Sequence, residues 1–249
     1  MPARELRIRP VLGLPELREG DDLGRLIAEA GSPADEEIVV ISQKAVSKAE
    51  GRVRELSTVE TDARARELAQ RLDKDPALVQ LVLEESRRVV RAERGVLITE
   101  TRAGWICANA GIDSSNLPEG RVSLLPVDAD ASARRIRGEI AAATGSSPAV
   151  VIADSFGRPW RLGQADIAIG CAGLAALQDW RGRRDREGKE LSATVIAVAD
   201  ELASAADLVR EKDRGVPVVI VAGLGELVTR DHGVGAAELR RPGEDDLFR

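Results

Sequence analysis

The sequence predicts an α+β fold, and three observations lead to this prediction. Short apolar runs of strand length outnumber the helical patterns, and the intervals between those runs are irregular. A regular alternation of strands and helices, which would indicate a doubly wound parallel sheet, is therefore disfavoured. The chain has 249 residues, of which 43% are hydrophobic, so it can form one or two domains around a sizeable core.

The first predicted element is a buried strand at 37–42, where "EIVVIS" is short and rich in Val and Ile. The residues that follow it, 43–53, are interpreted as a polar loop. Two helices are expected next, at 61–73 and 76–91. The first opens on a Thr-Asp pair, and the second opens on proline and has apolar residues spaced near 3.6 positions.

The later part of the chain alternates unevenly between strands and helices. A helix is predicted at 130–145, where Gly145 is a stop signal, and another at roughly 201–212. The polar tail, 240–249, is expected to be loosely held apart from Leu247 and Phe248. Strands are predicted for the short apolar runs at 95–101, 104–109, 121–127, 149–154, 166–170, 193–200 and 216–223.

Composition and charge exclude several classes of protein. A net charge of −6 argues against a general nucleic-acid binder, and an aromatic content of 2% argues against a base-stacking surface. The chain has no run of about 18 apolar residues and "MPARELRIRP" lacks a long apolar run, so we expect no signal peptide, no membrane partner and a cytoplasmic location. Cys107 and Cys171 are isolated and are expected to be buried thiols, not part of a zinc site or a disulfide.

Familiar catalytic motifs are missing from the sequence. The single histidine, His232, has no GxSxG or HExxH context and is interpreted as an exposed loop residue. A bound metal would therefore need oxygen ligands, which suits Mg²⁺ or Mn²⁺. GxxxxGK[ST] is absent and "AGLGELV" lacks the third glycine of GxGxxG, so any nucleotide site is of a less familiar type.

Two polar segments are candidates for a functional site. In "CANAGIDSSN", residues 107–116, small residues allow the backbone to approach a ligand closely, and Asp113 and Asn116 follow them. The alternative is an ordinary turn with Asx-type hydrogen bonds. In "VVIADSFGRPWRLGQADIAIG", residues 150–170, an apolar strand is predicted to end at Asp154 and to present it to a cleft.

The second segment also carries Arg158 and Arg161, whose forked guanidinium groups suit a phosphate or a carboxylate. The alternatives are that these arginines pair with surface acids, that Trp160 fills the core and that Asp154 caps a helix or lies in a loop.

Taken together, the segments indicate metal-assisted phosphate chemistry. Asp113 and Asp154 are candidate ligands of one divalent ion, and Lys48, Arg158 and Arg161 are candidate cations for the phosphates that the ion bridges. This arrangement suits phosphoryl transfer, in which catalysis is mainly positioning and charge stabilisation. These residues by themselves name no acceptor.

Seven stretches spread over the chain form one distinctive set: "GLPEL" at 13–17, "SQKAVSKAEGR" at 42–52, "CANAGIDSSN" at 107–116, "DSFGRPWRLGQADIAIG" at 154–170, "ADELASAADLV" at 199–209, "GVPVVIVAG" at 215–223 and "DLFR" at 246–249. The combination of "VSKAEGR", "NAGID" and "DSFGRPWRLGQ", in this order, is highly specific. With these stretches the chain resembles the coenzyme F420-0:L-glutamate ligases, the γ-glutamyl ligases of a deazaflavin coenzyme.

The resemblance implies a GTP-dependent amide ligase. In such ligases GTP phosphorylates a carboxylate of coenzyme F420-0, the amine of L-glutamate attacks the acyl phosphate, and further γ-linked glutamate can be added to F420-1. The resemblance also implies two Mg²⁺ or Mn²⁺ sites and a monovalent cation such as K⁺.

The same resemblance implies an architecture. It indicates a two-domain α+β protein with mixed and antiparallel sheets, assembled as an intertwined homodimer with the nucleotide near the dimer interface. Residues 1–249 are then expected to form one ligase unit, with two subdomains of undetermined boundary and no fused C-terminal reductase domain.

Site residues follow from the resemblance by matching motifs. Lys48 and Arg158 receive catalytic roles, and Lys44 is interpreted as a solvated neighbour. Asp113 and Asp154 are expected to hold one divalent ion, with Ser155 and Glu211 near a second. The nucleotide is assigned to Leu12, Gly13, Leu14, Pro15, Glu16, Ser42, Gln43, Lys48, Asn116, Val209, Arg210, Glu211 and Lys212.

One departure from the family pattern leaves a question open. After "AADLV" the family has a V-x-G-K turn, whereas this chain reads "VREKDRGVP" with Glu211 at the glycine position. Glu211 either reaches a metal or faces solvent. Two other functions also stay open, a metal-dependent GTP phosphohydrolase and a non-catalytic GTP-binding regulator.

Overall fold

The structure is a computed structural model that describes residues 5–211 and 213–247. None of the helices found there is long and apolar enough to cross a membrane. The helices are α1 (Leu23–Gly31), α2 (Gln43–Ala49), α3 (Ala63–Leu72), α4 (Pro76–Glu84), α5 (Ala129–Thr144) and α6 (Val198–Arg210). The strands are β1 (Arg7–Pro10), β2 (Ile38–Ser42), β3 (Val53–Glu55), β4 (Ser86–Glu93), β5 (Val96–Thr101), β6 (Ile106–Ala108), β7 (Arg121–Ser123), β8 (Ala149–Arg158), β9 (Arg161–Ala172), β10 (Gln178–Asp179), β11 (Val195–Ile196) and β12 (Val218–Ala222).

The largest sheet of the described chain has five strands in the order β1-β12-β2-β8-β9. Strands β2 and β8 run parallel, whereas the other neighbours in this sheet run antiparallel. Strands β4, β5 and β6 form a separate antiparallel sheet, and β3–β7 and β10–β11 form two-stranded pairs. The predicted α+β class with mixed and antiparallel sheets is confirmed.

Apolar side chains form two clusters. The larger one covers the five-stranded sheet and includes Ile41, Ile152 and Ile220, all fully buried. The run "IVVI" in β2 is buried throughout, as is typical of a strand covered on both faces. The smaller cluster joins α3 and α4 to β5 and β7 through residues such as Leu68. The division into two domains stays a prediction.

Three stretches differ from the sequence prediction. Residues 43–49, interpreted as a loop, form α2, which at seven residues is too short to show helical periodicity. Residues 86–91, predicted as the end of a helix, belong to β4, because α4 ends at Glu84 and the chain then pairs along β5. In 193–200 only Val195–Ile196 is a strand, and α6 begins at Val198. Strand β1 and helix α1 have no counterpart in the sequence prediction.

The segment 150–170 is one long hairpin. Strand β8 does not end at Asp154, because β8 and β9 stay paired until Arg158 lies opposite Arg161. Trp160 occupies the turn with 79% of its surface exposed, so it does not fill the core. Leu162 beside it is 98% exposed, and the hairpin tip therefore presents apolar surface to solvent.

Both cysteines are free and buried, as the sequence predicts. Burial raises the pKa of the Cys107 thiol and of the Cys171 thiol to about 12, with nearby carboxylates adding to the rise. The reactive thiolate is therefore scarce at pH 8 in the folded chain. We expect an Ellman titration at pH 8 to find almost no reactive thiol in the native protein and both thiols in denaturant. Rapid reaction of the native protein would contradict this burial.

Candidate functional site

A cavity of about 440 Å³ lies where the carboxyl end of β2 meets α2. The segment before α1, the loop after β6, the middle of the β8–β9 hairpin and the end of α6 also line it. Residues that are far apart in sequence therefore share one concave surface, as small-molecule sites commonly require. The predicted site residues that line it are Leu14, Pro15, Glu16, Ser42, Gln43, Lys48, Asp113, Asn116, Asp154, Ser155, Arg210 and Glu211.

Asp113 is held by a local turn and by a distant lysine. Its Oδ1 accepts a hydrogen bond from the Ser115 backbone N–H at 2.8 Å, which is the Asx-type turn left open by the sequence. Its Oδ2 accepts from the Ser115 hydroxyl at 2.7 Å and from the Lys44 ammonium at 2.8 Å. Desolvation, the largest single influence, raises the pKa of this carboxyl, but the hydrogen bonds from Lys44 and Ser115 outweigh it and lower the pKa below its ordinary value.

Asp154 has the opposite electrostatic setting. Burial raises the pKa of its carboxyl to about 7, and the negative charges of Asp166 and Asp113 add to the rise. A hydrogen bond from the Ser155 backbone and the positive charge of Lys44 act against it without cancelling it. A buried carboxyl that faces two other acids attracts a cation strongly when it ionises.

Two lysines of α2 face the cavity. Lys48 Nζ lies 2.5 Å from Glu16 Oε1, which ties α2 to the segment before α1. Lys44 Nζ contacts Asp113, and it also lies 2.5 Å from the Ser115 carbonyl oxygen and 2.6 Å from the Ser115 hydroxyl. Only 13% of the Lys44 side chain is exposed. The interpretation of Lys44 as a solvated neighbour is therefore wrong.

Ser42 and Gln43, at the junction of β2 and α2, have different surroundings. The Gln43 side chain is 1% exposed and its Oε1 accepts a hydrogen bond from the Ser47 hydroxyl at 2.8 Å. The Leu124 carbonyl oxygen lies 2.6 Å from the same hydroxyl, so the two acceptors share its single proton. The Gln43 side chain is thus used for a hydrogen bond inside the protein, whereas Ser42, the last residue of β2, lines the cavity.

Asp166 is a cavity residue that the sequence analysis did not single out. It is 3% exposed, its Oδ1 accepts a hydrogen bond from the Ser155 hydroxyl at 2.6 Å, and its Oδ2 forms an ion pair with Arg210. This links β8, β9 and the last turn of α6. Arg210 is itself buried, and its Nη1 has no hydrogen-bond partner in the described chain. The sequence feature that could have identified Asp166 as a site residue is its position inside the motif at 154–170.

The cavity offers two carboxylate ligands for a divalent ion, fewer than a site formed by protein side chains alone would need. Within residues 5–211 and 213–247, no group of three or more His, Cys, Asp or Glu side chains is arranged to hold a metal. Two carboxylates, Asp113 and Asp154, nevertheless share the cavity and influence each other electrostatically. Mg²⁺ is commonly bound by one or two carboxylates together with substrate phosphates and water. The donor set therefore suits an ion that arrives with a nucleotide.

Comparison with known proteins agrees with this arrangement of motifs. A family model described as F420-0:Gamma-glutamyl ligase matches residues 12–223. The chain belongs to this family. Its similarity to curated members extends over nearly the whole chain. It is 43% identical over 247 residues to the coenzyme F420:L-glutamate ligase of Methanopyrus kandleri, covering 98% of each chain.

Other curated members give a similar result. The coenzyme F420:L-glutamate ligase of Methanothermobacter thermautotrophicus is 43% identical over 245 residues, covering 96% of this chain and 97% of the relative. The protein of the same name from Halorubrum lacusprofundi is 49% identical over 218 residues, covering 85% and 84%. The resemblance inferred from the motifs is therefore confirmed.

Some residues assigned from the F420-0:γ-glutamyl ligase pattern lie outside the cavity. Leu12, Gly13 and Val209 are not among its lining residues, and Lys212 lies outside the described residues. Arg158 lies at the far end of the hairpin, where its guanidinium donates to the Leu162 carbonyl at 2.7 Å and weakly to the Gly163 carbonyl at 3.4 Å. The assigned roles of these residues stay predictions.

Glu211 occupies the position where the F420-0:γ-glutamyl ligases are expected to have glycine. Its backbone has φ 46°, a left-handed value that glycine adopts without strain. Its carboxylate forms an exposed ion pair with Arg214.

Because exposed ion pairs contribute about 0–1 kcal/mol, we expect Glu211→Gly to change turnover by less than about fivefold. Steady-state rates at saturating metal would measure this. A loss of two orders of magnitude would instead place the carboxylate at a metal.

Proposed function

We propose that this chain is a GTP-dependent ligase that adds L-glutamate to coenzyme F420-0 through an acyl phosphate and releases GDP and phosphate. Membership of the F420-0:γ-glutamyl ligase family supports the acceptor and the amino acid. The observation that carries the proposal is the common cavity of two lysines and two aspartates from the two most specific motifs, namely Lys44, Lys48, Asp113 and Asp154.

The charges in the cavity support the use of a nucleotide triphosphate. Lys48 and Lys44 are each mostly buried, so their positive charges interact with an anion more strongly than they would in bulk water. Lys48 is held by the more exposed Glu16 and can exchange that partner for a phosphate oxygen. The backbone of 14–16 and Ser42 then lie at the rim to position the nucleotide.

The acid residues of the cavity suit a divalent ion. Asp113 and Asp154 would hold Mg²⁺ or Mn²⁺, and Ser155 would contribute to a second site, whereas the Glu211 carboxylate would stay with Arg214 at the surface. Bound there, such an ion neutralises phosphate charge as it develops. Lys44 would keep Asp113 ionised and oriented, since it already hydrogen-bonds both Asp113 and the adjoining Ser115.

The acceptor carboxylate needs to be activated by phosphorylation, because neither cysteine of the chain is suited to form an acyl-enzyme. A carboxylate is a poor electrophile, so amide formation needs a better leaving group. Both cysteines are buried with raised pKa values, which makes an acyl-enzyme on sulfur unfavourable. Phosphoryl transfer to the acceptor carboxylate supplies the leaving group, and the amine of L-glutamate then displaces phosphate.

Further parts of the proposal concern assembly and extent of reaction. We include a homodimer, because the exposed apolar tip of the β8–β9 hairpin would lose solvent contact in an interface. Arg158 on this hairpin could reach phosphate only if such an assembly brought it to a cavity. Addition of a further γ-linked glutamate to F420-1 and use of K⁺ complete the proposal.

The experiment that tests the function is substrate omission. Purified protein with GTP and Mg²⁺ should release GDP only when both F420-0 and L-glutamate are present, with one amide formed per GDP. GDP release without either compound would indicate a phosphohydrolase. Nucleotide binding with no turnover under any combination would indicate a regulator.

A further inference from the structure

A second cavity, of about 370 Å³, lies beside the start of α5. It does not share lining residues with the first cavity, but β9 contributes to both, through Asp166 in the first and Ile169 in the second. Residues from β4, from the loop before β6, from α5 and from the C-terminal segment surround it. Those on which the argument rests are Arg87, Trp105, Val127, Arg134, Val234 and Arg240.

The arginines give this cavity an excess of positive charge. The side chain of Arg134 makes no hydrogen bond or ion pair with any residue that the structure describes, and the residue is only partly exposed. Arg87 has a distant partner, with 3.8 Å between its Nη1 and Glu100 Oε1. Arg240 donates to the backbone carbonyls of Ala103 and Ala237, which leaves its charge without an acidic partner in the described chain.

The two acids of the cavity are already engaged by backbone N–H groups. Asp130 Oδ1 accepts from Cys171 at 2.8 Å and from Ala236 at 2.7 Å. Asp128 caps α5 by accepting from the Ala131 N–H at 2.9 Å. Because both carboxylates are committed to the fold, the positive charge of Arg134 is available to an anion from outside.

The walls of the cavity add an apolar and planar component. Val127 and Val234 are 74% and 71% exposed. The Arg240 guanidinium lies over the Trp105 ring, 5.6 Å from the ring centre. A guanidinium plane held in this way can stack on a second flat ring while it interacts with an anion.

We propose that the second cavity binds a flat aromatic anion. Its phosphate or carboxylate pairs with Arg134 and Arg87, and its ring packs against the Arg240–Trp105 pair and the two valines. The deazaflavin acceptor is one compound of this class, and that identification rests on the proposed function. A flavin phosphate is another compound of the same class, so the two sources are separated by experiment.

The test uses the emission of Trp105 as a local probe. The sequence has three tryptophans, so Trp160→Phe with Trp180→Phe leaves Trp105 as the only one. This variant is titrated with F420-0, with flavin mononucleotide and with inorganic phosphate, and affinities are confirmed by equilibrium dialysis. We expect saturable quenching by an aromatic anion, and much weaker binding of inorganic phosphate.

Arg134→Gln is the decisive variant, and Arg135→Gln is its matched control. Both remove one positive charge from the same helix, but Arg135 pairs with Glu50 and Glu139 and does not line the cavity. We expect Arg134→Gln to weaken binding of the aromatic anion by roughly tenfold or more, because a hydrogen bond to a charged group is lost. Arg135→Gln should leave the affinity unchanged, and thermal melting should show both variants folded.

The outcomes distinguish F420-0 from a flavin phosphate as the ligand of this cavity, and they test the cavity separately from the proposed ligase function. Weaker binding of F420-0 by Arg134→Gln, with a parallel rise in its KM and an unchanged KM for GTP, would place the acceptor in this cavity. An effect on flavin mononucleotide alone would assign the cavity to an aromatic anion other than the acceptor. Unchanged affinity for both compounds would overturn the proposal. The affinities from quenching and dialysis need no turnover, and only the KM comparison does, so a failure of the proposed function is recognised separately from a failure of the proposed cavity.

Discussion

Asp154→Asn is expected to lower turnover on the order of 10²–10³-fold, a loss typical of removing one electrostatic contact to a reacting centre. The substitution keeps the shape of the side chain and removes the negative charge that would hold a divalent ion. The rate is measured at saturating GTP, F420-0 and L-glutamate, over a range of Mg²⁺ and Mn²⁺ concentrations.

The same substitution should not weaken the metal-free fold. Burial raises the pKa of the Asp154 carboxyl from 3.8 to about 7, so the folded state holds a proton that the unfolded state has lost between these values, and the free energy of unfolding falls as the pH rises from 3.8 to about 7 and then levels off. The asparagine variant lacks this ionisation. At pH 8 with a chelator present, its melting temperature is therefore expected to equal or exceed that of the unaltered protein.

Asp73→Asn is the matched control, because it makes the same chemical change at an exposed helix end with φ 52°, where asparagine is well tolerated. It should leave both turnover and melting unchanged. Near-normal activity of Asp154→Asn at saturating metal would remove Asp154 from the metal site.

Lys48→Ala and Lys44→Ala are expected to weaken the use of GTP by about 10–100-fold each, since each removes a charged hydrogen-bonding group from a mostly buried position. For Lys48 the loss should appear mainly as a higher KM for GTP. For Lys44 it should also appear as a higher metal requirement, because Asp113 loses the partner that lowers its pKa. Initial rates over a grid of GTP and Mg²⁺ concentrations separate the two effects.

Lys189→Ala provides the comparison for the two lysines, because it removes the same charge from an exposed loop. Its rates should match those of the unaltered protein. If Lys44→Ala were as mild as Lys189→Ala, the buried contact with Asp113 would have no part in the reaction.

The two aspartates show how far the sequence could predict the site. Asp113 and Asp154 were recognisable because each lies in a specific motif, and the structure places both in one cavity. The expectation that Asp154 ends a strand was wrong, because pairing between β8 and β9 continues through Gly157, opposite Gln164, to Arg158, opposite Arg161. Gly163 lies in the register shift between these two pairs, with a left-handed φ of 83°, so it accommodates an irregularity in the hairpin and does not end it.

Lys44 and Asp166 show what the sequence could not predict. The role of Lys44 depends on Asp113, which lies 69 positions away, and on a helix too short to leave a periodic pattern. Asp166 meets Arg210 only because β9 packs against the last turn of α6. Such contacts come from tertiary packing, which local propensity and spacing do not encode. The replacement of a predicted helical segment by β4 has the same origin, since pairing with β5 decides its conformation.

The most direct test of the proposed reaction is the fate of oxygen-18 placed in the carboxylate of F420-0. If GTP phosphorylates that carboxylate before L-glutamate attacks, one labelled oxygen leaves with the phosphate in each turnover. Mass spectrometry of the released phosphate is therefore expected to show the label in proportion to the amide formed. Label retained wholly in the amide, or oxygen from water appearing in the phosphate during productive turnover, would contradict an acyl-phosphate route in this chain.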